Sequence, residues 1–214
     1  TMCSVLLPDE LPASFSAITQ PTIVIGLVDR WPLLDMFEPR ARESLRDFHI
    51  SSKRISYTFE RDGTIPLTEA LDAKNEFSVV MDDARTNAAE DRLLTHLTQR
   101  AWLPRIVENV TATRILTFGT RRQGVEMMQH CEAWVGMVAG TKRWLFASPN
   151  VENPNDDCSK TELRPETFSC TARRGDVVLV PSLWWHASCN SESQTIAFGA
   201  QCHSHGGAWS KDEL

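Results

Sequence analysis

The chain has 214 residues, of which 42% are hydrophobic and 23% charged, and its net charge is −6. That length fits one domain, and the composition excludes disorder as the main state. No window approaches the roughly 18 apolar residues of a membrane-spanning helix. An acidic balance without a basic block disfavours a nucleic-acid surface. Seven Trp against one Tyr point to a wide apolar interior.

In chain order, Thr22 to Gly26 is a β-branched run after Pro21 and predicts a strand. Leu33 to Phe48 has helical spacing broken at Pro39. Arg54 to Phe59 alternates as a strand and ends in the turn Arg61-Asp62-Gly63. Pro66 to Leu71 predicts a short helix and Glu76 to Met81 a strand. Asn87 to Trp102 places Leu93, Leu94, Leu97 and Trp102 at helical spacing and stops before Pro104. From about residue 112 seven short strands follow: Thr113–Phe118, Val125–Gln129, Trp134–Val138, Lys142–Ala147, Val177–Val180, Trp184–Cys189 and Gln194–Ala200. Such a series predicts a β-sandwich or barrel. The polar stretch Asn150–Thr167 reads as a loop. The expected organisation is a single domain over 1–205, with an α/β layer to about 110, a β core over about 111–202, and a tail over 206–214.

That tail carries Lys211-Asp212-Glu213-Leu214, a receptor-read address for the lumen of the endoplasmic reticulum, with the KDEL receptor as the implied partner. A lumenal chain needs a signal peptide. Thr1-Met2-Cys3-Ser4 does not supply one, so the expectation is that it is removed or left out. Asn109-Val110-Thr111 is a glycosylation sequon compatible with that compartment. Six cysteines fit an oxidising compartment, and their spacing lacks the CxxC of a zinc ribbon. Cys158 and Cys170 flank one polar loop and are the preferred disulfide; free buried thiols are the alternative.

Within Met128-Gln129-His130-Cys131-Glu132, His130 and Glu132 are two residues apart. On a strand that spacing puts an imidazole and a carboxylate on one face. His186, on a later strand, is the candidate third ligand. Two His and a carboxylate form the facial triad of non-haem Fe(II) oxygenases, which leaves positions open for co-substrate and dioxygen. The same spacing also suits two core histidines satisfied by backbone.

Gly140-Thr141-Lys142-Arg143-Trp144-Leu145-Phe146, followed by Pro149, resembles a block of the JmjC family within the cupin superfamily. Arg174-Gly175-Asp176 leading to Pro181-Ser182-Leu183-Trp184-Trp185-His186-Ala187 resembles another. Pro21 to Gly26 with Trp31-Pro32, and Arg114 to Gly119, match further blocks in the family's order. The size and the Lys-Asp-Glu-Leu tail look most like small JmjC-only proteins of the endoplasmic reticulum lumen. The resemblance implies a double-stranded β-helix, or jelly roll, whose mouth holds Fe(II) and 2-oxoglutarate. Carried over by position, His130, Glu132 and His186 match the metal ligands. Lys142 matches the lysine that pairs with the distal carboxylate of 2-oxoglutarate, and Asn190 a family Asn near it. Spacing agrees for Lys142: on its strand it shares a face with Trp144, opposite to Arg143, and a lysine directed into a barrel needs an anion. A lysine snorkelling at the rim is the other reading.

The chain departs from the family at Met127, where many JmjC hydroxylases have a Thr, in its single Tyr57, and in the His-x-Glu order. Thr117, Thr195 and Ser188 lie on neighbouring strands as replacement hydroxyl donors. Two functions follow. One is an Fe(II)- and 2-oxoglutarate-dependent dioxygenase of the lumen that hydroxylates a protein side chain. The other is an inactive barrel that serves as a lumenal protein-binding module.

Overall fold

A computed structural model describes residues 2–38, 40–51, 64–72, 78–82, 87–110, 112–158, 160 and 162–202. The expected strand Arg54–Phe59, Tyr57, Thr111 of the sequon and the Lys211–Leu214 tail lie outside the described residues. No helix among the described residues is long and apolar enough to cross a membrane.

The chain is mostly β. Its described strands are β1 (Ser4–Leu6), β2 (Thr22–Val24), β3 (His49–Ser51), β4 (Thr64–Pro66), β5 (Ser78–Asp82), β6 (Thr113–Gly119), β7 (Gly124–Met128), β8 (Ala133–Ala139), β9 (Thr141–Ala147), β10 (Phe168–Arg173), β11 (Val177–Val180), β12 (Trp185–Asn190) and β13 (Thr195–Gln201). The described α-helices are α1 (Pro32–Met36), α2 (Leu67–Asp72) and α3 (Ala88–Thr98). A seven-stranded sheet has the order β1-β2-β11-β8-β13-β6-β5, and a four-stranded sheet the order β10-β9-β12-β7. From β6 onward the chain crosses repeatedly between them: β6, β8, β11 and β13 belong to the large sheet, and β7, β9, β10 and β12 to the small one. Within this region every described pairing is antiparallel.

The period of two along each strand sorts the side chains into layers. On β8, Trp134 and Val138 join a core formed with the helices, whereas Ala133, Val135 and Met137 join a second core between the sheets. On β9, Trp144 and Phe146 point between the sheets and Leu145 points out, to a small cluster with Ala187 and Cys189. The first core is the larger. Leu93, Leu94 and Leu97 of α3 are buried in it with Trp31, Leu33 and Leu34. Asn87 starts α3: its Oδ1 accepts from the Ala89 and Glu90 amides while Glu90 Oε2 accepts from the Asn87 amide, a reciprocal cap. Trp31 needs Gly136 beneath it, because a Cβ there would stand 2.8 Å from the indole ring. Gly140 turns β8 into β9 at φ 71°, a region that favours glycine.

Several features differ from the sequence reading, which did not anticipate β1, β3 or β4. The helical spacing of Leu33 to Phe48 gives only α1 and a 3₁₀ turn over Arg42–Leu45. The β core has eight strands rather than seven; β10 has no run of β-branched residues, and its exposed and buried positions alternate at a sheet edge. The expected Cys158–Cys170 pair does not form. Cys158 bonds Cys189, Cys170 bonds Cys3 and Cys131 bonds Cys202. The reason is facial: Cys170 packs on the core between the sheets, whereas Cys158 lies against the outward cluster of the four-stranded sheet.

Candidate functional site

Between the two sheets lies a cavity of about 110 Å³. That is several times the roughly 10–15 Å³ a single water needs. Its walls are mainly apolar, with Val125, Met128, Val135 and Val180 among them. Its polar groups are His130, His186, Lys142, Thr117, Ser188 and Gln201.

The strand register orders these groups along the cavity. His186 stands opposite Phe146, Ser188 opposite Trp144, and Asn190 opposite Lys142. The histidines therefore mark one end and the lysine the other, with Trp144 and Ser188 between.

At the histidine end, His130 Nε2 and His186 Nε2 are 3.0 Å apart. His130 Nδ1 is 2.7 Å from the Cys131 carbonyl and His186 Nδ1 is 2.8 Å from the Trp184 carbonyl. A carbonyl only accepts, so both Nδ1 atoms carry the proton and both Nε2 atoms of the neutral rings carry a lone pair. Burial keeps the rings neutral. It pushes His186 down to about 3, with His130 adding to the effect, and it lowers His130 against the opposing pull of the Cys131 carbonyl. Two lone pairs face each other at contact distance, an arrangement that an electrophile between them would relieve. Nitrogen ligands about 2.1 Å from one metal at a right angle would be about 3.0 Å apart. The imidazole pair fits a metal ion.

The backbone holds the two histidines together. The Leu183 amide donates to the His130 carbonyl at 2.7 Å, and Gln129 Nε2 donates to the Leu183 carbonyl at 2.6 Å. Leu183 has φ 62°, a left-handed conformation that costs a non-glycine residue of order 1–3 kcal/mol. The turn that delivers His186 is thus pinned to the segment that delivers His130.

Glu132 is placed differently. Its carboxylate, Cys131 Sγ and Cys202 Sγ lie within 4.8 Å of one another, and among the described residues no such group joins it to both imidazoles. The segment 129–132 lies between β7 and β8, with a bend at Cys131. The two-residue alternation that puts His130 and Glu132 on one face holds within a strand, and here it lapses.

At the other end, Lys142 is 2% exposed. Its ammonium donates to Thr117 Oγ1 at 3.0 Å and to Ser188 Oγ at 3.5 Å. Burial pushes it down to about 8. Among the described residues no carboxylate pairs with it, so the cavity holds a cation that lacks an anion. Asn190 is buried near this end, with no partner found for Oδ1 among the described residues. Thr195 does not line the cavity, and its hydroxyl donates to the Thr141 carbonyl at 3.3 Å. Of the three hydroxyls expected from sequence, Thr117 and Ser188 reach Lys142.

Met127 also sits elsewhere than its sequence position implies. β12 and β7 pair His186 with Met128 and Ser188 with Val125, so β7 bulges by one residue. Met128 and Val125 face the cavity, while Met127 packs outside with Leu145, Ala187 and Cys189. Sequence reasoning did not pick out Val125, Met128 or Gln201 as cavity residues. A bulge leaves no pattern in the sequence, and Gln201 lies at the far end of β13, where pairing with Thr113 and with the cavity residue Ala133 brings it to the site.

These features define a mainly β sandwich with an internal site that is histidine-rich at one end and cationic at the other. No family model matches the chain. The chain is similar to lysine-specific demethylase JMJ21 of Arabidopsis thaliana, at 24% identity over 221 residues. The match covers 86% of this chain and 23% of that protein, so the chain spans under a quarter of the length of the curated relative it matches.

Proposed function

We propose that the chain is an Fe(II)- and 2-oxoglutarate-dependent oxygenase of the JmjC type, that its eight core strands form a double-stranded β-helix, and that it hydroxylates a protein side chain. The observation that carries this reading is the pair of Nε2 lone pairs at 3.0 Å, each ring oriented by a backbone carbonyl on its other nitrogen. The alternation of strands between the sheets and the similarity to a JmjC demethylase support it.

His130 and His186 would hold the metal, and the carbonyls of Cys131 and Trp184 would fix their tautomers and directions. Glu132, two residues from His130, is the proposed carboxylate ligand. To reach the imidazoles it must turn away from the sulfurs it now accompanies. Lys142, steadied by Thr117 and Ser188, would neutralise the far carboxylate of 2-oxoglutarate. Apolar walls would exclude water from the reacting centre. When bound, Fe(II) and 2-oxoglutarate would supply the electrons that activate dioxygen, which is the oxidant of the C–H bond.

An oxidising compartment, the lumen of the endoplasmic reticulum, is proposed as the location. The three disulfides support an oxidising compartment.

Incubation with Fe(II), 2-oxoglutarate and air is the test, read as succinate by mass spectrometry. Succinate above a metal-free control is expected. Its absence under conditions where metal binds favours the second reading, a barrel that binds a lumenal protein without turnover. The position of Glu132 is the observation on that side.

A further inference from the structure

We infer that Trp144 is a binding residue of the cavity: its indole N–H donates to an oxygen of the dicarboxylate whose far end sits on Lys142. This rests on the proposed binding of 2-oxoglutarate.

Trp144 is 5% exposed and lines the cavity. Its Nε1 is buried and has no hydrogen-bond partner among the described residues. The other indoles of the core and its margins are satisfied by backbone. Trp31 donates to the Trp102 carbonyl, Trp134 to Val110, Trp184 to Thr19 and Trp185 to Val151. A buried N–H without an acceptor is disfavoured in a folded protein, so an unmet donor on a residue that lines the cavity points to an acceptor brought by a ligand.

The strand register places it well for that role. Trp144 lies one step from Phe146, which stands opposite His186, and one step from Lys142. Each step of two residues advances about 6.6–6.8 Å. A diacid reaching from the histidines to the lysine must pass the indole. The Lys142 ammonium lies 6.0 Å from the centre of the Trp144 ring, so an anion drawn to one comes within range of the other. The nearby hydroxyls of Thr117 and Ser188 accept from Lys142 and keep their own protons to donate alongside the indole.

The test is Trp144→Phe in the full chain, with a second variant carrying benzothienylalanine at 144, which keeps the bicyclic shape and lacks the N–H. Calorimetric titration with 2-oxoglutarate in the presence of Mn(II) should show about 10–100-fold weaker binding in both variants, the loss expected for a hydrogen bond to a charged acceptor. Mn(II) affinity should be unchanged, and the melting temperature of the ligand-free benzothienylalanine variant should equal or exceed that of the wild type. Wild-type 2-oxoglutarate affinity in the benzothienylalanine variant, with Lys142→Met impaired, would overturn this inference alone and leave an ordered water as the indole's partner. Failure of the wild type itself to bind 2-oxoglutarate would overturn both this inference and the proposed function.

Discussion

At one end of the cavity two imidazoles turn lone pairs toward each other; at the other an ammonium rests on two hydroxyls. The ends share a construction. In each, the surrounding chain meets only part of the need: it satisfies both Nδ1 atoms and leaves the Nε2 lone pairs, and it gives the ammonium two hydroxyls but, among the described residues, no carboxylate. They differ in sign, since the histidine end lacks a cation and the lysine end lacks an anion. A metal chelated by a diacid answers both needs at once, which is why the two ends together say more than either alone.

The comparison breaks most visibly at the histidine end. His186→Ala should reduce 2-oxoglutarate turnover by at least about a hundredfold, because even loss of a group that only orients a ligand costs about 10–100-fold. Succinate formation measures it. Glu132→Ala should cost less metal affinity than His186→Ala. Equal losses would mean that the carboxylate already belongs to the centre in solution.

At the lysine end, Lys142→Met should weaken 2-oxoglutarate by about 10–100-fold and leave Mn(II) affinity unchanged, as judged by calorimetry. The same variant should melt no lower than the wild type, because a buried ammonium without an anion is replaced by an apolar chain of similar length. The pH dependence follows. Lys142 titrates near 8 in the folded protein and near its ordinary 10.5 in the unfolded one, so the unfolded chain binds more protons between those values. Stability of the ligand-free wild type should therefore rise with pH through that window, relative to Lys142→Met. Melting curves at several pH values would show it.

The smallest effect is expected at Met127. Introducing with Met127→Thr the Thr found in many JmjC hydroxylases should change 2-oxoglutarate affinity by less than about twofold, because the side chain faces the outer cluster. It should lower stability by about 1 kcal/mol, from lost packing and a new hydroxyl. A marked gain in affinity would show that β7 is not bulged there.

Much of the core was legible in the sequence. β6, β8, β9, β11 and β13 are runs of apolar and β-branched residues between turns, and their alternation set Lys142 and Trp144 on one inward face. His130 and His186 are 56 residues apart in sequence and stand with their Nε2 atoms 3.0 Å apart. What escaped depends on pairing rather than pattern. The bulge in β7 reversed Met127 and Met128, the faces of the sheet decided the disulfides, and a bend at Cys131 removed the alternation on which the placement of Glu132 relied. Thr195 is buried as a sheet residue should be, but its hydroxyl is committed to a neighbouring carbonyl.

The central claim is that the imidazole pair is a metal site. Mn(II) titration followed by electron paramagnetic resonance tests it directly, on the wild type and on a His130→Ala, His186→Ala double variant. The account predicts one bound Mn(II) per wild-type chain and none in the double variant. Equal binding by both proteins, or no binding by the wild type, would contradict it.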